Sequence, residues 1–139
     1  MLKGVPRIVS PELIKVLCEM GHGDEIVIAD ANFPAATCAK RLVRADGIGG
    51  CDMLKAILSL IPLDTYADRN FLLMETVQGD PTPQIWESYK SIAREMDDNA
   101  RIGFLSRFDF YERAKGAYAV VATGETAIYA NIILKKGVI

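Results

Sequence analysis

The chain has a single histidine in 139 residues, and its three cysteines, Cys18, Cys38 and Cys51, form no close pairs. Each scarcity excludes something. Three widely spaced cysteines give neither a disulfide framework nor the paired ligands of a zinc site, so they read as small core residues in a reducing, cytoplasmic setting. The histidine has no HxH or HxxxH partner, which leaves a metal role for it unsupported by spacing. Long apolar runs are missing: nothing approaches the ~20 residues that span a bilayer. The N-terminal MLKGVPRIVSP lacks the apolar segment and cleavage site of a signal peptide. An excess of positive charge is also missing. With 16 basic and 18 acidic residues the formal net charge is -2, so there is no broad basic field for nucleic acid. There is no P-loop, no GxGxxG fingerprint and no GxSxG nucleophile motif.

What is present is globular. Half of the residues are hydrophobic and 24% are charged, a composition and length that suit one domain over residues 1–139. Ser10-Pro11-Glu12 is a helix start: serine caps, proline loses nothing at the first position, and glutamate favours the positive end of the dipole. Leu13, Val16, Leu17 and Met20 recur at helical spacing, and Gly21 can close the helix in a left-handed conformation. EIVIA (25–29) reads as a strand buried on both faces. Further helices are expected over 33–42, over 53–61 capped by Asp52, over 84–96 with Ile85, Tyr89, Ile92 and Met96 on one face, and over 108–117. FLLMETV (71–77) reads as a strand, and IGFL (102–105) is ambiguous. AYAVVAT (117–123) and AIYANIILKK (127–136) read as a hairpin about a TGET turn. Strands mixed with helices imply an α/β domain, a central sheet flanked by helices on both faces.

Chemistry concentrates in three places. The first is EMGHGDEIVIADANFP (19–34). Histidine titrates near neutrality, and glycines on either side let the backbone turn sharply around His22. It is either an acid–base group or a hydrogen-bonded loop histidine. Asp24 reads as a loop residue; Asp30 closes a strand and is either ligand-facing or a turn aspartate. The EIVIA strand rises about 3.3 Å per residue, which sets His22 and Asp30 at its opposite ends. They share a site only if loops fold back or a second copy supplies one of them. The second place is SRFDFYERAKGAY (106–118), where Arg107 can orient a hydroxyl through several N–H groups and Tyr111 can bond as well as pack. Glu112 and Arg113 suit a solvated helix face. The third is AIYANII (127–133). On a strand, Tyr129 and Asn131 would share one face, with Ile128 and Ile132 on the other. Lys135 and Lys136 read as surface residues.

GHGDEI, VRADG (43–47), FYERA and the YxN segment near the end together resemble the bacterial fucose mutarotase and ribose pyranase family, over nearly the whole chain and closer to its fucose-type members. The resemblance implies a compact three-layer α/β fold with a central mixed sheet, ribose pyranase-like. It implies an enzyme without cofactor or metal, acting on a free reducing monosaccharide such as L-fucose. It also implies a homo-oligomer, a ring or decamer, with sites near subunit contacts. By residue it implies His22 for proton transfer and Asp30, Arg107, Tyr129 and Asn131 for sugar binding, with Tyr111 a further ligand-facing side chain. Two departures stand out: Asn32 replaces the histidine of the common fucose-type sequence, and Ala130 replaces the glycine of YGN. The implied reaction is interconversion of α and β anomers by acid–base-assisted ring opening. D-ribose pyranase activity and sugar binding without catalysis are the alternatives that Asn32 and Ala130 keep open.

Overall fold

The computed structural model describes residues 1–139. Six strands and five helices alternate in the order α1 (Pro11–Glu19), β1 (Glu25–Ala29), α2 (Ala35–Cys38), β2 (Leu42–Ala45), α3 (Gly50–Leu58), β3 (Phe71–Met74), α4 (Ile85–Met96), β4 (Ile102–Leu105), α5 (Arg107–Gly116), β5 (Ala119–Thr123) and β6 (Ile132–Lys135). They build one sheet in the order β2-β5-β1-β6-β3-β4. β1, β2 and β5 are mutually parallel, as are β3 and β4, while β6 is antiparallel to both β1 and β3. Five strands therefore run one way and β6 alone runs back.

The alternation of strand side chains sorts the core into two layers. On one face Ile26, Ile28, Val121, Ile132, Leu134, Phe71 and Leu73 pack against the apolar stripes of α1, α3 and α4. On the other, Val27, Ala29, Val120, Ala122, Ile133 and Leu72 pack against α2 and α5 through Phe33, Cys38, Phe110 and Ala114. Both faces of β1 are covered, which is why EIVIA has no polar position after Glu25. No helix is long and apolar enough to cross a membrane.

Several sequence expectations need correction. β5 and β6 do not form a hairpin, because β1 lies between them. Residues 124–131 instead cross over the carboxyl end of β1. Residues 127–131 are not strand: Tyr129 has φ 55°, and Ile128 is exposed whereas Ile132 is buried. Residues 33–42 hold only the four-residue α2 and the start of β2, a strand that alternating charge in KRLVRAD conceals. α1 ends at a Met20 cap in extended conformation, and it is Gly23, not Gly21, that has a positive φ. Gly49, not Asp52, precedes α3. Met96 and Cys18 are exposed, and Cys51 is half-buried.

The turn after β5 is tight enough to require glycine. A Cβ on Gly124 would sit 2.0 Å from the Asp46 carbonyl oxygen and 3.0 Å from its carbon, whereas one on Gly47 would meet nothing within 4 Å. The obstacle is backbone and cannot rotate away. Gly124→Ala is expected to destabilise by about 2 kcal/mol or more through overpacking, and Gly47→Ala by no more than about 0.5 kcal/mol. Urea unfolding midpoints of the two variants check this.

Candidate functional site

Since five strands share a direction, their carboxyl ends collect at one edge of the sheet, the edge where open α/β sheets bind ligands. β6 starts from that edge. Asp30 follows β1, Asp80 lies beyond β3, Arg107 and Tyr111 follow β4, and Tyr129 and Asn131 precede β6. With Asn32, Phe33, Met74 and Ile128 they line one open cavity of about 270 Å³.

Asp30 is the fixed point of this cavity. Only 5% of the residue is exposed. Its Oδ1 accepts from the Asn32 N–H (3.0 Å), and its Oδ2 from the Ala130 N–H (3.3 Å) and from Asn131 Nδ2 (2.9 Å). In return its own N–H donates to Asn131 Oδ1 (2.8 Å). A carboxylate offers about four acceptor positions, so these bonds leave Asp30 room for one ligand hydroxyl. Burial pushes its pKa above the ordinary carboxylate value, and the backbone N–H groups of Asn32, Ala130 and Phe33 and the Asn131 amide only partly offset this.

The segment that meets Asp30 is held from beneath. A non-glycine residue at positive φ costs on the order of 1–3 kcal/mol. Around Tyr129, Trp86 Nε1 donates to its carbonyl (2.9 Å) and Tyr89 Oη to that of Ala130 (3.2 Å). At roughly 1 kcal/mol each, these two bonds and the Asp30–Ala130 bond are enough to hold the conformation. Glu125 ties the same loop to α3, accepting from the Gly50 N–H (3.1 Å) and the Ala127 N–H (3.0 Å). The Ala130 side chain packs with the α3/α4 core layer and is not part of the cavity lining. Asn32 does line the cavity.

The mouth is polar. Tyr129 Oη donates to Asp80 Oδ2 (2.5 Å), and that bond raises the phenol's pKa. Arg107 Nε donates to Tyr111 Oη (3.0 Å), which raises the guanidinium pKa further. Phe33 forms a wall, edge-on to Tyr111 with ring centroids 5.5 Å apart. Two carboxylates, a guanidinium, two phenols and two amides around a small apolar patch suit a compact ligand with many hydroxyls.

His22 lies at the other edge. The loop before β1 is closed by Asp24, whose Oδ2 accepts from the Gly21 N–H (2.8 Å), and by Gly23, whose N–H donates to the Lys136 carbonyl (2.8 Å). The five residues of β1, roughly 16 Å of strand, separate this loop from Asp30. Within one chain the loops do not fold back. The His22 side chain is 44% exposed, and its Nε2 lies 2.8 Å from Oδ1 of Asp64, whose side chain is 4% exposed. Burial tends to raise the Asp64 pKa, but the His22 bond and the backbone N–H groups of Tyr66 and Ala67 outweigh it and hold the carboxyl below its ordinary range. His22 also borders an apolar groove with Leu17, Leu60, Ile61 and the C-terminal Val138 and Ile139. No group of three or more His, Cys, Asp or Glu residues comes together as a metal-ligand set.

Sequence reasoning missed Asp64, Asp80, Trp86 as a donor, Tyr89 and Glu125. Each acts across 41 or more residues of chain (Asp64 on His22 is 42 away, Tyr89 on Ala130 is 41), beside the local bonds of Asp64 to Ala67 and Glu125 to Ala127. Those local bonds, the Ala67 N–H to Asp64 Oδ2 (2.9 Å) and the Ala127 N–H to Glu125 Oε1 (3.0 Å), mark turns, not a site.

Residues 3–139 match the sequence profile of the RbsD / FucU transport protein family. The chain is 51% identical over 146 residues to the fucose mutarotase of Homo sapiens, covering 99% of this chain and 94% of that one. It is 54% identical, with a TM-score of 0.95 and 99% of each chain covered, to the fucose mutarotase of Streptococcus pneumoniae solved in complex with L-fucose. Bacillus subtilis RbsD complexed with D-ribose is more distant, at 25% identity and a TM-score of 0.74, covering 100% of this chain and 99% of that one.

The two buried carboxylates bend stability in opposite directions. Between the ordinary value of 3.8 and its raised pKa, folded Asp30 keeps a proton that the unfolded chain has released, so rising pH costs stability across that window. Asp64 is the reverse: below 3.8 the unfolded chain takes up a proton that the fold resists, so stability falls as pH drops through the lowered pKa. Urea midpoints measured across acidic pH should lose the first slope in Asp30→Asn and the second in Asp64→Asn. An unchanged slope in either variant would refute the corresponding assignment.

Proposed function

The chain belongs to the RbsD/FucU family, and from that membership and the chemistry of its cavity we propose that it is an L-fucose mutarotase whose active site is completed by two copies of the chain. The observation that carries the reading is the cavity around Asp30, lined by polar groups suited to a sugar. A relative of 54% identity, with nearly the same backbone, was solved with L-fucose bound.

In the proposed reaction the anomeric hydroxyl gives up a proton, the ring oxygen gains one, and the bond between the anomeric carbon and the ring oxygen breaks to leave an open-chain aldehyde. Rotation about the adjacent carbon–carbon bond presents the other carbonyl face. The same hydroxyl then attacks, and the two proton transfers reverse, so no proton or electron is consumed. His22 is the principal proton-transfer group, with water able to complete the relay. Asp30 uses its remaining acceptor position on a sugar hydroxyl. Arg107, held by Tyr111, orients the sugar through its free N–H groups. Tyr129 bonds a sugar oxygen, and Asn131 contributes chiefly by fixing Asp30, since its amide already bonds that residue in both directions.

His22 cannot reach this cavity in its own chain, so the reading requires a heterologous contact. The amino edge of one copy brings His22 to the carboxyl edge of the next. Repetition of such a contact closes a ring or a stacked decamer. Exposed apolar side chains at both edges support the contact: Ile128 and Phe108 near the cavity, Tyr66 and Val138 near His22.

Exchange NMR on L-fucose is expected to show faster α–β exchange than the solvent reaction, and faster than any effect on D-ribose ring forms. His22→Ala should slow it by about a hundredfold or more with the fold retained. Saturable binding without acceleration would make the protein a sugar-binding module, and preference for D-ribose a pyranase. Mixing His22→Ala with Asp30→Ala subunits, each inactive alone, should restore about a quarter of the sites if one copy supplies each half. No restoration after verified subunit exchange would refute the shared site.

A further inference from the structure

We infer that Asp64 is the positioning residue for proton transfer at His22, holding the imidazole in the tautomer that carries its proton on Nε2 and turns Nδ1 outward. This rests on the reading of His22 given above. The geometry of the pair is asymmetric. Asp64 is set into the protein, with a side chain 4% exposed, while the imidazole it holds is 44% exposed. An ionised carboxylate only accepts hydrogen bonds, so the nitrogen 2.8 Å from it is the one that carries the proton. The remaining nitrogen is then an acceptor on the exposed side of the ring, free for a reacting proton.

Asp64 is itself immobilised in a way that a mere turn would not need. Its N–H donates to the Lys135 carbonyl (2.9 Å), which ties it to the end of β6. Its carbonyl accepts from Nδ2 of Asn70 (2.8 Å), a residue 1% exposed that also bonds the Asn99 carbonyl and the Arg101 N–H, each at 2.8 Å. Oδ2 takes the Ala67 N–H at 2.9 Å, completing the turn. That leaves Oδ1 as the oxygen whose partner is an exposed ring and not the backbone. Tyr66 limits ring rotation from one side, with centroids 5.2 Å apart at 54°. The other ionisable groups around His22 are already occupied or weakly placed. Asp24 bonds the Gly21 N–H, the Lys136 ammonium bonds the Met20 carbonyl (2.6 Å), and Cys18 only borders the groove. A base oriented by a third, buried group is the general arrangement of proton-transfer pairs.

The single histidine makes the test direct, since the imidazole ¹⁵N spectrum contains one residue. At a pH where the ring is neutral, the unmodified protein should show a protonated Nε2 and an unprotonated Nδ1. In Asp64→Asn this preference should weaken. Anomer exchange at saturating L-fucose should fall by at least about tenfold, while KM moves less than about twofold. In a His22→Ala background, Asp64→Asn should cause no further loss. A proton on Nδ1 in the unmodified protein would overturn the inference, and it needs no variant to fold. So would a fully active Asp64→Asn alongside a slow His22→Ala, which leaves the mutarotase reading standing. A His22→Ala protein as fast as the original would instead remove the role of His22, and this inference with it.

Discussion

Asp30 and Asn131 exchange hydrogen bonds in both directions across 101 residues of sequence. The exchange is possible because β1 lies between β5 and β6, so the chain leaving β5 must pass over the end of β1 to begin β6. That crossing is the constraint on which the cavity depends. It lowers Tyr129 and Asn131 onto a buried carboxylate, and it forces a left-handed backbone at Tyr129 that Trp86, Tyr89 and Asp30 together hold. A hairpin would have satisfied the same strands locally and left Asp30 bare. The buried charge costs desolvation energy, visible in its raised pKa, and the three donors keep that cost tolerable.

The same topology separates the two chemistries. Parallel strands send all their carboxyl ends to one edge, which collects the polar groups of the cavity. The helix-to-strand connections lie at the other edge, and there the GHGD loop meets the loop that carries Asp64. The molecule is thus polar at both ends of one sheet, with the carboxylates, phenols, amides and guanidinium of the cavity at one and the only histidine at the other. The proposed shared site joins these two edges through a head-to-tail contact between copies.

How far the sequence carried depended on the range of each interaction. Local signals were sufficient for α1, where Ser10 caps the Leu13 N–H (3.1 Å) and Leu13, Val16 and Leu17 bury one stripe. They were sufficient for β1 and for α4, whose Tyr89 and Ile92 are buried. β2 was illegible because an edge strand with Lys40, Arg41 and Arg44 around Val43 shows neither alternation nor an apolar run. The hairpin was misread because nothing in residues 117–136 records that a strand 90 residues earlier intervenes. Among the site residues, Asp30, Arg107, Tyr111, Tyr129 and Asn131 line the one cavity, and His22 does not. Tyr129 and Asn131 reach it by a loop and not by strand alternation. Asp64 carries only a turn signal and Asp80 none, since each acquires its place in the site from a side chain far away in sequence.

The two departures from the fucose-type pattern now separate. Ala130 is buried in the core layer of α1, α3 and α4 and does not line the cavity, so its methyl adds bulk where a sugar does not go. Asn32 is different, because it stands in the cavity lining, at the position where the resemblance to fucose-type sequences implies a histidine. An amide there can bond a hydroxyl but cannot carry a proton near neutrality. That leaves Asp30 as the one carboxyl lining the cavity whose pKa is shifted upward, and its oxygens already accept three hydrogen bonds from Asn32, Ala130 and Asn131. The cavity therefore holds strong groups for orientation and none well suited to shuttle protons in both directions. On the proposed reading, the only histidine in the chain supplies that traffic from the opposite edge of another copy. With asparagine at position 32, the proposed reading places proton transfer on His22 alone and its orientation on the buried Asp64.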